Sequence, residues 1–516
     1  MGTPRKPRKD TENPVDRAKA DAAALATARS APGFARRHVH LIGIGGAGVS
    51  ALVPLLRAAG ATVSGCDAHD SPALKRMTQD GVAIAIGHHA DHVRGADLVV
   101  HTAAVDASHP EIAAARAAGI PVMTRGACLV ALMAGSRTVA IAGSHGKTST
   151  TWMAGHLLSE AGRDPLIMVG GSVAALGGGG SRAGTGGIFV AETDESDGSC
   201  FQVTPDIAVV TNLDHEHLRH YGSYQALVTA FDGWLRRVPA NGTVILPVAG
   251  TGSELATSLG SVRDSVGHIR ARILRCGLDR GDLHFRDLHL GPDGSRGTVV
   301  MNGHSVGEIT VPLPGAHMAL NALMAIAAVR AIDPACNLAA LARCERVRRR
   351  FTVHGQPRGI RVVEDYGHHP TEVRATIAAA ALGGGRVHVV FQPHRHTRTA
   401  DSFGDFVAAF DQAGALALLP VYGAGEAPIP GADHAALAAA IRARRMASHQ
   451  AGDVVAVDEA GLALPVIAAH ARPGDTVLVL GAGDVGDLAP TMVLALDRAG
   501  TTTSDHALAP VAAESA

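Results

Sequence analysis

The chain is expected to fold as α/β, in three domains, and three observations carry that expectation. It has 516 residues, too many for one core when domains run at about 150 residues. A short apolar run, a glycine turn and a helix-compatible segment recur near Val39, Thr138 and Thr476. Polar and charged residues follow the apolar runs, where the carboxyl edge of a parallel sheet would present them. We read residues 37–136, 137–346 and 347–500 as the domains. Residues 1–36 and 501–516 read as disordered tails.

In the first domain HVHLIGIGGAGVSALVPLLRAAG reads as strand, turn and amphipathic helix, with Gly43, Gly45 and Gly48 in GxGxxG spacing. The next strand ends in Asp67, roughly 20 positions after the glycines, which makes a Rossmann-like βαβ unit. Further strands are expected at Asp97–Thr102 and near Ile120–Met123. Alone, this spacing also suits an oxidoreductase with a nicotinamide cofactor, and that alternative stays open here.

The second domain opens with TVAIAGSHGKTSTT, from Thr138 to Thr151. A buried strand, a glycine turn and a helix N-terminus form a P-loop-type phosphate cradle. It is not the strict GxxxxGK[ST] form, because Ile141 stands where the first glycine would be. Lys147 can still reach β- and γ-phosphates as a point charge, and Thr148 can ligate Mg²⁺. The strand GIFVAE ends at Glu192, with Asp194 and Glu195 beyond it. Mg²⁺ takes oxygen ligands, so Thr148 and Glu192 can supply two; a solvated acidic turn is the plainer alternative. A second strand ends in Asp214, His215, Glu216 and His217. That spacing is not HExxH, and an imidazole there can serve a second Mg²⁺ or Mn²⁺. Gly177–Gly187 reads as a mobile surface loop.

The third domain has four strand candidates, each followed by a polar turn, and reads as a second Rossmann-like sheet. Arg348, Arg349 and Arg350 precede it, where an arginine can reach a transferring phosphoryl group. Two strand ends carry Tyr366, His368 and His369, then His394, Arg395, His396 and Arg398. Arginines three apart suit a carboxylate or phosphate; histidine–metal chemistry is the alternative.

Composition narrows the partners. A net charge of −1 provides no field for nucleic acid or an anionic membrane. Six scattered cysteines without C-x-x-C exclude a zinc ribbon and fit a reducing, cytoplasmic setting. No apolar run is long enough for a membrane span, and the basic N-terminus has no apolar h-region behind it.

Together the motifs resemble the Mur ligases, ATP-dependent amide-forming enzymes of peptidoglycan synthesis. GSHGKTST resembles that family's phosphate loop. ETDESD, PG-x-H-x-x-x-N, RRF, DYGHHPTEV, FQPHR-x-TRT and LGAGD follow in the family's order, over residues 38–495. DYGHHPTE with FQPHR-x-TRT is the specific part. Within the family the likeness is to members acting on UDP-N-acetylmuramate and L-alanine, as monomer or homodimer.

The resemblance implies roles residue by residue. Gly143, Ser144, His145, Gly146, Lys147, Thr148 and Ser149 would hold ATP phosphates. Thr148 and Glu192 would bind one Mg²⁺ and His217 a second. Arg350 would contact the γ-phosphate and Asp365 the ribose, with His317 and Asn321 beside the adenine. Tyr366, His368, Arg395 and Arg398 would hold the amino acid and the muramoyl carboxylate. Gly45, Gly46, Gly48 and Asp67 would belong to the UDP-sugar site. Catalysis would rest on Lys147, Glu192, His217, Arg350 and His368. Met318 departs from the family's usual Asn, and Asp214-His215-Glu216-His217 from its Glu-Ala-Asp-His. A tripeptide-adding relative and a non-catalytic nucleotide sensor are the closer alternatives.

Overall fold

The structure is a computed structural model, and it describes residues 33–102, 105–196, 198–216, 218–248, 269–450 and 452–498. His217 and most of both expected tails lie outside the described residues. Residues 33–36, expected in the first tail, are held: Phe34 packs on the core, and Arg36 N–H donates to Gly60 O at 2.8 Å.

The residues divide into two compact units. The first takes its described residues from Met1–Thr251, Ala256–His284 and Asn321–Ala340. It contains a sheet of β1 (His38–Ile42), β2 (Thr62–Asp67), β3 (Ala83–Ile86), β4 (Leu98–His101) and β5 (Val122–Thr124). Their order is β3-β2-β1-β4-β5, all parallel, so β1 is central. Helix Leu52–Ala58 buries Leu52, Val53, Leu55 and Leu56.

The same unit holds β6 (Arg137–Ala142), β7 (Leu166–Met168), β8 (Ser181–Arg182), β9 (Ile188–Glu192), β10 (Ile207–Val210), β11 (Thr243–Pro247) and β12 (Arg272–Cys276). These run in the order β12-β11-β10-β6-β9-β7-β8, and only the β7–β8 pair is antiparallel among them. β6 is thus flanked by β9 and β10, whose ends surround its turn. One core cluster runs through both sheets, with Leu41 and Leu56 in the same cluster as Ala140, Phe189, Phe231 and Trp234. Aromatics are scarce, but these few are fully buried, and each contributes about 2–3 kcal/mol of apolar burial.

The glycine-rich Gly177–Gly187 departs from the mobile loop expected of it. Ser181 and Arg182 form the edge strand β8 against β7. Gly180, Gly184 and Gly186 are there for close approach: a Cβ on Gly186 would lie 1.7 Å from the Arg163 carbonyl oxygen. Composition alone could not separate tight packing from freedom.

The second unit takes its described residues from Phe285–Leu320 and Leu341–Ala516. From Phe285 onward, β13 (Leu283–Gly291) continues into β14 (Gly294–Met301) and β15 (His304–Val311). β14 and β15 form an antiparallel hairpin whose Asn302-Gly303 turn has positive φ at both residues (50° and 82°), the Asn-Gly signature of a type I′ turn. The unit's six-stranded sheet comprises β16 (Thr352–Gly355), β17 (Arg361–Asp365), β18 (Val387–Phe391), β19 (Leu416–Leu418), β20 (Val454–Ala456) and β21 (Thr476–Leu480). Its order is β16-β17-β21-β18-β19-β20, with only β16 antiparallel. The four strands expected from sequence are present. The edge strands β16 and β20 were not expected; they are only four and three residues long. Among the described residues no helix is long and apolar enough to cross a membrane.

Candidate functional site

The turn after β6 is built by the end of β10. Ser144 N–H donates to Asn212 O at 3.0 Å, and His145 N–H to Asn212 Oδ1 at 2.9 Å. The Asn212 amide returns a bond to His145 O at 2.9 Å, and Thr211 Oγ1 donates to the same carbonyl at 2.6 Å. Asp214 N–H donates to Ser144 Oγ at 2.9 Å. This bracing fixes the turn where only glycine fits. A Cβ on Gly143 (φ +123°) would lie 2.4 Å from Thr211 Oγ1, and one on Gly146 (φ +81°) would lie 2.7 Å from Asn321 Oδ1.

Helix Lys147–Glu160 starts at Gly146 with no side-chain cap. Its first N–H groups and its dipole therefore face the turn, an arrangement that favours an anion. Thr148 and Ser149 are buried in this first turn. Lys147 Nζ donates to Gly143 O at 2.6 Å and reaches both Glu195 carboxylate oxygens at 2.9 Å.

That ion pair carries unusual titration. Burial opposes the Lys147 charge, but Glu195, Asp194 and Glu192 outweigh it and hold the amine above its usual range. Burial pushes the Glu195 carboxyl up to about 7, against the pull of Lys147 and with help from the Asp194 charge. Asp194 is held below the usual range despite burial, by Lys147 and the Ser196 N–H. Glu192, at the end of β9, accepts the Gly170 N–H at 2.6 Å. His145 Nε2 lies 2.8 Å from Asp214 Oδ2, with Glu216 3.9 Å from its other nitrogen.

The turn after β1 is closed differently. Gly45 N–H donates to Asp67 Oδ2 at 2.9 Å. A cavity of about 750 Å³ is lined by Gly43, Gly45, Gly46, Gly48 and Asp67, and also by Arg125, Gly170, Glu192 and Asp194. The glycine turn of the first sheet and the acids of the second therefore share one cavity within this unit.

In the second unit the ends of β17 and β18 gather the expected side chains. The Arg350 guanidinium lies 5.2 Å from the Tyr366 ring centroid, and Tyr366 meets His368 edge-on at 5.3 Å. His368 meets His394 at 5.8 Å, and His394 stacks on Tyr422 at 5.4 Å. Arg398 Nη1 is 3.2 Å from His394 Nδ1. Burial, then the charges of His368, Arg398 and Arg395, lower His394 to about 4. Arg395 has φ +70°, sits half-exposed and lies 3.7 Å from Glu426.

Asp365 is buried, with Phe351 N–H and Gly367 N–H both donating to it at 2.8 Å. His317 borders a separate cavity of about 660 Å³ with Thr371, Arg374 and Arg444. Burial lowers His317 to about 4.

Sequence reasoning left the arginine run undivided, and the structure divides it. Arg349 is a brace: its guanidinium donates to Gly481 O and Gly483 O at 2.7 and 2.9 Å and pairs with Glu364 at 2.8 Å. It missed Glu195 as the Lys147 partner, Arg125 as a cation on the first cavity, and Glu372. The Glu372 carboxylate accepts His368 N–H at 3.0 Å and His369 N–H at 3.3 Å. The motif HHPTE signals that capping arrangement; nothing local signals Glu195 over Asp194.

Comparison with known proteins accords with this geometry. Residues 38–137 match the family model described as "Mur ligase family, catalytic domain". Residues 141–329 match "Mur ligase middle domain", and 349–483 "Mur ligase, glutamate ligase domain". The chain is 43% identical over 456 residues to a UDP-N-acetylmuramate–L-alanine ligase of Sorangium cellulosum, covering 87% of this chain and 94% of that one. It is 42% identical to the Acidothermus cellulolyticus enzyme of the same name, covering 89% and 95%. Among solved structures it is similar to a UDP-N-acetylmuramate–alanine ligase of Thermotoga maritima (TM-score 0.69, 25% identity, 91% and 100% covered). A murein peptide ligase of Psychrobacter arcticus is also similar (TM-score 0.62, 25% identity, 89% and 99% covered).

Proposed function

The chain belongs to the Mur ligase family, and from that premise we propose that it joins L-alanine to the carboxylate of UDP-N-acetylmuramate with conversion of ATP to ADP and phosphate. The observation that carries this reading is the shared cavity in the first unit. A glycine turn with Asp67 lines one part and Glu192 with Asp194 another, while Asp194 and Glu192 also act electrostatically on Lys147.

A carboxylate does not accept an amine at neutral pH, so it must be activated. ATP, when bound, supplies the phosphoryl group that makes it an acyl phosphate; the alanine amine then attacks the carbonyl carbon, phosphate leaves and the ammonium proton is lost. The chain's part is alignment and charge neutralisation. Lys147, with the N–H groups of the Gly143–Gly146 turn and the helix start, would bind phosphate oxygens once Glu195 yields the amine. The uncapped helix N-terminus and the oxygen donors Thr148 and Glu192 fit a nucleotide with Mg²⁺, which would offset phosphate charge there. Asp67 and Gly45, Gly46 and Gly48 would bind the UDP-sugar. Arg350 would face the γ-phosphate, Asp365 would turn towards the ribose, and His317 and Asn321 towards the adenine. Tyr366, His368, Arg395 and Arg398 would orient the amino acid and the muramoyl carboxylate. A cytoplasmic setting belongs to the same reading, since all six cysteines are free thiols.

The test is ADP release by the purified chain with ATP and UDP-N-acetylmuramate, across single amino acids and a peptidoglycan tripeptide. Release that requires the UDP-sugar and is fastest with L-alanine supports the reading. Preference for the tripeptide moves the chain to the murein peptide ligase reading, and nucleotide binding without turnover makes it a sensor.

A further inference from the structure

Outside the machinery of the proposed reaction, the first sheet buries a group of side chains that nothing in that reaction uses. His40 lies on β1 and Cys66 on β2, and Glu111 stands on helix Pro110–Ala117. All three are at most 2% exposed, and one donor atom from each lies within 4.8 Å of the others. Cys66 Sγ is 2.8 Å from Glu111 Oε2, and His40 Nε2 is 3.3 Å from the same oxygen. His88, just past β3, brings Nδ1 to 3.3 Å from Cys66 Sγ and 3.5 Å from Glu111 Oε1.

We propose that His40 Nε2, Cys66 Sγ, His88 Nδ1 and a Glu111 oxygen form a closed structural site for one divalent transition cation of the zinc type. The donor set is mixed nitrogen, sulfur and oxygen, which suits a borderline cation and not Mg²⁺. Bonds of about 2.0–2.3 Å to a tetrahedral ion set its donors about 3.3–3.7 Å apart. His40 Nε2 to Glu111 Oε2 and His88 Nδ1 to Cys66 Sγ, both 3.3 Å, fall at that range, and Cys66 Sγ to Glu111 Oε2, 2.8 Å, is a thiol–carboxylate hydrogen bond that the ion would replace. The thiol proton leaves to solvent on binding. Thiolate and carboxylate then balance the two positive charges.

The surroundings are arranged as a metal site's outer partners are. The other nitrogen of His40 is 2.9 Å from Ser64 Oγ. The other oxygen of Glu111 accepts His89 N–H at 3.1 Å and lies 2.9 Å from His92 Nδ1. His109 meets the His88 ring edge-on at 4.5 Å, and both its ring nitrogens are shielded without a hydrogen-bond partner. The site also abuts the substrate turn: the Cys66 carbonyl accepts the Gly43 and Ile44 N–H groups at 2.8 and 3.1 Å. The next residue is Asp67. An ion there would pin β1, β2 and helix Pro110–Ala117 together beneath the turn.

The test is titration of the chelator-stripped full chain with Co²⁺, read by absorption. One equivalent should produce a thiolate-to-cobalt charge-transfer band with tetrahedral d–d bands, and Zn²⁺ should bleach both. Cys66→Ser should abolish the charge-transfer band, the serine hydroxyl still being able to donate to Glu111. His88→Gln changes a side chain that is 25% exposed, so the fold should stand, and Co²⁺ affinity should fall roughly tenfold or more. At the same concentration Zn²⁺ should raise the melting temperature of the wild type more than that of either variant. Absence of saturable Co²⁺ or Zn²⁺ binding by the wild type, or an unchanged cobalt spectrum in Cys66→Ser, overturns the proposal. Loss of ligase activity with the spectrum intact would instead count only against the proposed function.

Discussion

The turn after β1 and the turn after β6 share one local grammar, an apolar strand, glycines and a helix, yet they present opposite charges. At Gly45 the free N–H is closed by the Asp67 carboxylate from the end of β2. At Gly143–Gly146 the partners are Thr211 and Asn212 from β10, and Lys147 lies over the turn. The helices differ as well. The first begins with a four-residue piece, Ala47–Ser50, while the second runs fourteen residues from Lys147 to Glu160, so its dipole is better built to hold an anion. A carboxylate at a turn suits hydroxyl and amide donors; an ammonium suits phosphate oxygens. The glycine spacing sets the backbone, and the neighbouring strand ends select the ligand.

The largest effect that this contrast predicts is at Lys147. Lys147→Ala should lower UDP-sugar- and alanine-dependent ADP release about 10³-fold or more, as when a transition-state donor is removed. Stability should change little. Glu195 is pushed up to about 7 by burial even against the pull of Lys147; without that cation it moves higher still and takes up a proton, where a carboxylate of ordinary acidity would stay charged and buried. Near-normal ADP release from a folded Lys147→Ala would erase the distinction between the two turns.

Glycine substitutions separate the turns by stability. Alanine at Gly143 meets Thr211 Oγ1 at 2.4 Å and Asn212 O at 2.7 Å, at φ +123°. That combines overpacking with backbone strain and should cost about 3 kcal/mol in urea unfolding. Alanine at Gly45 meets the Asp67 carboxylate oxygen at 2.9 Å, the end of a side chain that can turn away. It should cost under about 1 kcal/mol and raise the KM for the UDP-sugar. Equal losses at both positions would mean that both turns are braced alike.

These residues also mark how far the sequence could be read. Much of the three sheets was legible because each contains an apolar strand that runs into a glycine turn, β1, β6 and β21. The motifs also singled out Tyr366, His368 and Arg398, which follow β17 and β18, the two strands that flank β21. Glu195 was not legible as the Lys147 partner: ETDESD offers several acids, and only the backbone path after β9 selects one. The division of Arg349 from Arg350 rests on the positive φ of Arg349 (59°), which turns its side chain into the loop after β21. The His40–Cys66–Glu111 group was missed for a related reason. Its members are far apart along the chain and meet only through the parallel pairing of β1 with β2 and the crossover helix, so no local spacing announces them.

Asp67 provides the next test. Asp67→Asn keeps an acceptor for Gly45 N–H but loses the charge. The KM for the UDP-sugar should rise about tenfold, the scale of one hydrogen bond to a charged group. The kcat should hold within about twofold, because ground state and transition state lose the same contact. A fall in kcat with KM unchanged would move Asp67 from substrate binding into the chemical step.

The smallest predicted effect is in the pH dependence of ATP binding. Glu195 is pushed up to about 7 by burial and competes with phosphate for the Lys147 amine at 2.9 Å. Below 7 the carboxyl holds a proton, its charge is gone and the amine is released more easily; above 7 the carboxylate holds the amine fast. The KM for ATP should therefore fall as pH is lowered from about 8 to about 6, by roughly three- to tenfold, the range of one weakened ion pair in a partly wet site. ATP itself titrates in this range, so the reading is the difference between wild type and Glu195→Gln. The variant should bind ATP more tightly at pH 8 and lose that part of the slope. The UDP-sugar, held at a turn whose acid has no lysine partner among the described residues, should show no matching difference. Parallel slopes in wild type and variant would show that Glu195 only buttresses Lys147, leaving the amine's charge as the whole difference between the two turns.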